Sequence, residues 1–343
     1  MTTTNQTPQH ITSLGALKVL AVIGVLLCHT GLIPQFDSCA RMVEILFLLS
    51  GFLMAYNYHD KITDYSLLHG WCIILKKLKR IYPVHLITFL LQLFFVATWW
   101  NKSLNYKLGI GFLNLTFQHA WFIPTEFSFN NVSWFLSALL FAYLLTPTIT
   151  GLTKCVKSTL KLFVSILFVR FFIEYLIHTS PREVSIDLHC NPLVQTLNYT
   201  LGYILGSIFI KENSFNTFIK EKLDLTTLSI IQLMLITIYF LCCQRFDGTY
   251  RIFFITLAMP LIYSLAINKG YIVKLITIKP IIMLEAITLE IFMFHSFILY
   301  HFPTDINKPI TYLTFFILTL STSLIYHIIY KLITNKTQKN KSA

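Results

Sequence analysis

The stretch Leu14-Gly15-Ala16-Leu17-Lys18-Val19-Leu20-Ala21-Val22-Ile23-Gly24-Val25-Leu26-Leu27-Cys28-His29 sets a lysine and a histidine eleven residues apart in an otherwise apolar run. With its continuation to residue 33 it is long enough to cross hydrocarbon, which takes about 20 residues of helix. Ionisable groups are costly there, and one that is kept points to function by default. Two plainer readings stand beside this: Lys18 snorkels to the interface, and His29 hydrogen-bonds a neighbouring helix. A second apolar helix, Val43-Glu44-Ile45-Leu46-Phe47-Leu48-Leu49-Ser50-Gly51-Phe52-Leu53, adds a carboxylate and the pair Ser50-Gly51.

The rest of the chain agrees with a membrane solvent. Mean hydropathy is +0.65, and 55% of residues are apolar against 12% charged. A soluble protein of 343 residues would carry more charge, so the expected fold class is all-α, a polytopic integral membrane protein. The length suits one membrane domain over 1–343, with a polar segment 1–13 and a basic, disordered tail 332–343. The first thirteen residues lack a basic n-region, so the first helix is expected to stay as an uncleaved anchor. The net charge of +12 does not signal nucleic acid, because the lysines punctuate the gaps between apolar runs. Seven scattered cysteines form no CxxC pair, so no metal site is expected. Cys39 and Cys190, both in expected outer loops, are a weak disulfide candidate.

About ten spans are expected, over 14–33, 42–58, 82–99, 132–151, 160–178, 193–210, 226–243, 251–268, 281–301 and 309–331. The segment 108–123 is short and broken by Asn114, Gln118 and His119, and reads as interfacial or re-entrant. With both termini cytoplasmic, the inner loops and tail hold 18 Lys or Arg and the outer loops 7, as the positive-inside rule requires. An eleventh span would invert every later loop and spoil that bias. No internal repeat or inverted pair of broken helices stands out.

This topology assigns depths. Lys18 falls near the cytoplasmic face and His29 in the outer third, about 16 Å apart along a helix. Glu44, Trp134 and His295 come from three other helices to the depth of His29. Lys76, Lys77, Lys79 and Arg80 gather with Lys18 at the inner face, where a positive-inside loop alone would explain the three lysines. Arg80 precedes Tyr82-Pro83, read as the start of the third span, where proline is tolerated. Arg170 and Glu174 read as a structural i,i+4 pair. Glu285 and Glu290 are left open, Trp134 also fits an interfacial belt, and His119 and Glu126 sit in a long outer loop that could touch an acceptor. Gly51 most simply allows close helix packing.

A basic residue, ten residues and a histidine, with Ala21 and Val25 between, resembles the first helix of the acyltransferase 3 family. Glu44 followed by Phe47-Leu48-Leu49-Ser50-Gly51-Phe52 is similar to that family's second-helix motif. Arg80-Ile81-Tyr82-Pro83, Trp134-Phe135-Leu136 leading to Tyr143 and Pro147, and Ile287 through His295 follow in family order. The resemblance implies an integral membrane O-acetyltransferase of the bacterial cell membrane. It would carry acetyl from cytoplasmic acetyl-CoA, a co-substrate rather than a cofactor, to a sugar hydroxyl of a surface polysaccharide or glycolipid. It implies donor binding by Lys18, Lys79 and Arg80. His29 would be general base or transient acyl carrier, with Glu44 orienting its ring, and His295 would bind acceptor or assist proton transfer. Ser50, Gly51 and Trp134 would serve the acceptor or the scaffold. Lysine stands at 18 where arginine is usual, which keeps charge and loses bidentate geometry. Leu46 replaces the first Phe of a Phe-Phe pair, and no additional esterase-like domain is present in these residues. A transporter or flippase would also explain helices with buried charges, and a non-catalytic scaffold would leave Lys18 and His29 without a role.

Overall fold

The computed structural model describes residues 10–32, 40–96, 99, 102–155, 159–180, 188–246 and 251–342. The described residues are all-helical with no β-strand: α1 (Thr12–His29), α2 (Ala40–Tyr58), α3 (Leu67–Phe95), α4 (Leu104–Leu115), α5 (Trp134–Cys155), α6 (Thr159–Thr179), α7 (Pro192–Lys211), α8 (Asn213–Lys222), α9 (Leu225–Arg245), α10 (Arg251–Ala266), α11 (Tyr271–Ile276), α12 (Lys279–Glu285), α13 (Thr288–His301) and α14 (Pro309–Ser342). Each of the ten expected spans holds helix over most of its described residues. Six helices, α1, α3, α5, α7, α9 and α14, are long and apolar enough to cross a membrane, and the bent pair α12–α13 makes a seventh. Of the others, α10 has 16 residues, and α2 and α6 carry Arg41, Glu44, Arg170 and Glu174. The protein is a polytopic membrane protein.

The centre is the seam between α2 and α7. A Cβ on Gly51 would overlap the Tyr199 carbonyl oxygen, and one on Gly202 would overlap that of Leu48; Gly206 faces the backbone of Phe52. Gly202 and Gly206 make a small-xxx-small stripe that lets two backbones touch. Gly51 of the Ser-Gly-Phe motif thus has a packing role, and Ser50 Oγ satisfies itself on Leu46 O of its own helix at 2.7 Å.

Three expectations change. First, α3 begins at Leu67, where Ser66 accepts from His69 N, so Pro83 lies inside the helix and not at its start. Proline has no N–H to offer the carbonyl four residues back, that of Lys79. Tyr330 of α14 donates its hydroxyl to that carbonyl at 2.9 Å, which repairs the break. Second, the span expected over 281–301 bends by 80° between α12 and α13. No glycine or proline marks the site, and the Ala286 carbonyl freed there accepts from Arg80 Nη2 at 2.7 Å. Third, the 332–343 tail was expected to be disordered. Instead α14 runs helical to Ser342, because lysine and glutamine propagate a helix already formed and no glycine or proline stops it.

The segment 108–123 holds no helix long enough by itself to cross hydrocarbon. α4 has 12 residues, about 18 Å of helix, and ends before Phe117, which takes a left-handed φ of 57°. The chain then turns through a 3-10 turn at His119–Trp121. His119 and Glu126 are buried, not turned toward an acceptor: His119 Nε2 meets Ser133 Oγ at 3.0 Å, and Ser133 donates to Asn130 O. Asn130 Nδ2 in turn donates to Met293 O, which ties this loop to α13. Cys39 lies outside the described residues.

Candidate active site

α1 and α13 bring His29 and His295 together. His29 Nδ1 lies 2.9 Å from His295 Nε2, and His295 Nδ1 lies 2.7 Å from the Phe292 carbonyl oxygen. A carbonyl only accepts, so His295 Nδ1 carries the proton. The Nε2 of neutral His295 is then a lone pair that accepts from His29 Nδ1–H. The remaining lone pair of neutral His29 is on Nε2. A backbone carbonyl therefore fixes the tautomers of two rings in series.

Glu44 does not hold the His29 ring. Among the described residues its carboxylate oxygens accept no hydrogen bond, and its Oε1 lies 3.7 Å from Arg41 Nη1 and 3.7 Å from Arg251 Nη1. The group that meets His29 Nδ1 is His295, and Glu44 is drawn into a charge cluster joining α2, α6 and α10. Arg41 lies over the Phe254 ring at 4.3 Å. Arg170 Nη2 pairs with Glu174 Oε1 at 2.8 Å, both fully buried, and Glu174 Oε2 accepts from Ile252 N at 3.0 Å. Arg251 Nη1 donates to His189 Nδ1 at 2.7 Å, and the His189 ring packs 4.5 Å from that of Trp134. Burial first, then the charges of Arg251 and Arg41, push His189 down to about 3, so it is the neutral acceptor that this bond needs. Trp134 is itself buried, so it is not a belt residue turned to lipid.

A cavity of about 620 Å³ opens below. Lys18, Lys76, Lys77 and Arg80 line it, with Ser50, Asn57 and Tyr58. Its apolar wall comes from Val22, Leu46, Leu49, Leu136 and Leu139. Lys77 and Lys76 are present and Lys79 is not: with Arg80 facing the cavity, Lys77 one turn back shares its face, and Lys79 offers only its carbonyl, to Tyr330. Glu285 and Glu290, undecided from sequence, face these cations. Glu285 lies 3.8 Å from Lys18 Nζ and 3.2 Å from His10 Nε2. Glu290 lies 3.8 Å from Arg80 Nη2 and 2.9 Å from His327 Nδ1.

Three residues of this arrangement are not announced by the sequence: His189 and Arg251 sit at helix ends and His327 sits in a long apolar run, where nothing points to a partner. Lys76 and Lys77, grouped with Lys18 and Arg80 at the inner face on sequence, both line the cavity. Among the described residues no group of His, Cys, Asp and Glu could hold a metal.

Comparison with curated proteins and with solved structures returns no match. The model of the acyltransferase 3 family, described as an acyltransferase domain, matches residues 11–330 and so takes in every residue of the cavity and of the histidine pair, and the chain belongs to that family as a membrane acyltransferase.

Proposed function

We propose that the acyltransferase is an O-acetyltransferase that takes acetyl from acetyl-CoA on the cytoplasmic side and places it on a sugar hydroxyl of a surface polysaccharide or glycolipid. The observation that carries this reading is the alignment of a cation-lined cavity with the His29–His295 pair beyond its far end. Phosphates suit Lys18, Lys76, Lys77 and Arg80. The pantetheine arm suits the apolar wall between them and the histidines.

In the transfer, the hydroxyl oxygen attacks the thioester carbonyl carbon and its proton passes to His29 Nε2. The imidazolium keeps donating Nδ1–H to His295. The tetrahedral intermediate then collapses, the carbon–sulfur bond breaks, and the leaving sulfur takes the proton back from Nε2. Ester and CoA thiol leave a neutral histidine. Such base catalysis contributes about 10²–10⁴-fold. Glu44 supports the site from a distance by countering Arg41 and Arg251.

The test compares cells with and without the gene. Loss of glycan-linked acetate with glycan export intact supports the reading, and loss of export points to a transporter. Orientation follows from the charge split: reporter fusions after residues 36, 186 and 305 should read as external, and those after 155, 215 and 343 as internal.

A further inference from the structure

On four helices the lining of the cavity stops at one level. On α1 it ends at Val22, seven residues before His29; on α2 it starts at Leu46; on α5 it starts at Phe135; on α13 it ends at Phe292, three residues before His295. The basic end lies opposite, at Lys18 on α1 and Lys76 to Arg80 on α3. Two rings close the far end. Phe135 and Phe292 have centroids 5.2 Å apart, and both are buried. Phe47 backs Phe135 at 4.6 Å, and the His295 ring lies 5.8 Å beyond Phe292.

Building on the donor reading above, we propose that Phe135 and Phe292 form a wall that sets the size of the acyl group accepted from acyl-CoA, favouring two carbons over four. A donor anchored by its phosphates at the basic end enters this cavity acyl group first. Its carbonyl carbon must come within about 3–3.5 Å of an oxygen held at His29, so the acyl group has to pass the two rings. Each added methylene then competes for space already filled by a buried phenyl ring, in a packed interior that yields little. A one-methylene difference in an apolar pocket is ordinarily read as about a 10–200-fold preference.

Phe292 separates two roles in one residue. Its carbonyl holds His295, and its ring closes the cavity. A side-chain substitution keeps the carbonyl and removes the wall.

The experiment uses the full chain in membrane vesicles from the native cell, which carry the acceptor, with labelled acetyl-, propionyl- and butyryl-CoA. The readout is the ratio of kcat/KM for acetyl to that for butyryl within each variant, which does not depend on how much protein folds. The unmodified protein should prefer acetyl at least tenfold, and Phe292→Ala should narrow the ratio tenfold or more. Phe135→Leu, a milder change, should narrow it in the same direction. An unchanged ratio in both variants overturns the wall. No transfer by the unmodified protein from any of the three donors overturns the donor reading itself, and the wall with it.

Discussion

Replacing His295 by alanine removes the acceptor of His29 Nδ1–H, a bond of 2.9 Å from the exposed His29 to the fully buried His295. Water can reach the freed donor, so the loss is that of an ordinary hydrogen bond, about 0.5–1.5 kcal/mol, which is about 2–12-fold in rate at 1.4 kcal/mol per factor of ten. The loss should fall toward the upper end, because His29 also loses the group that fixes its tautomer, and a proton on Nε2 disables it as a base. Glutamine at 295 still offers a carbonyl oxygen to Nδ1–H, so His295→Gln should recover part of the loss. His29→Gln removes the base itself and should cost about 10²–10⁴-fold. The expected order of rates is wild type, His295→Gln, His295→Ala, His29→Gln. Transfer of labelled acetyl into glycan in membrane vesicles, normalised to the amount of folded protein, measures it. Wild-type rates from His295→Ala, or a His29→Gln variant faster than His295→Ala, would refute the serial arrangement of the two rings.

Three further outcomes are expected. Lys18→Ala should raise the KM for acetyl-CoA with little change in kcat, since a phosphate contact is kept from ground state to transition state, and Lys18→Arg should retain much activity; an unchanged KM would make Lys18 a snorkelling topology signal. Gly51→Ala should abolish monodisperse protein in detergent, because the added carbon meets the Tyr199 backbone, whereas Gly109→Ala, with open space around it, should migrate normally. Tyr330→Phe should lower thermal stability by about 0.5–1.5 kcal/mol by leaving the Lys79 carbonyl unpaired, and Pro83→Ala should cancel that loss by restoring the helical N–H; equal losses with and without Pro83 would show that the hydroxyl does not repair the break.

What was legible in the sequence follows from cost. Lys18, His29 and Glu44 stand out because a charge in an apolar run is expensive, and the ordered motifs carry the resemblance to the family that the match over residues 11–330 shows. Partners were not legible, because they depend on helix rotation and on where helices break. Glu44 looked like the mate of His29 by depth, yet rotation turns it to Arg41 and Arg251. The choice between Lys77 and Lys79 depends on which face α3 presents. Glu285 and Glu290 stayed undecided because the bend between them has no glycine or proline; the bend is marked by a tertiary bond from Arg80, which a pattern of apolar residues does not record.

The fully buried Arg170–Glu174 pair bears on how the chain is inserted. α6 turns many apolar side chains outward, yet it carries two charges near its middle. At a bilayer centre each costs about 2.5–3.5 kcal/mol on the translocon scale, and their own i,i+4 pairing offsets only part of that. The remaining partners come later in synthesis: Asn198 of α7 receives Arg170 Nε at 3.1 Å, and Ile252 N of α10 donates to Glu174. α6, one of the ten expected spans, is therefore expected to be secured across the bilayer only after some eighty more residues have been made. A nascent chain arrested before residue 251 should leave α6 accessible to aqueous cysteine labelling, and one extended past α10 should protect it.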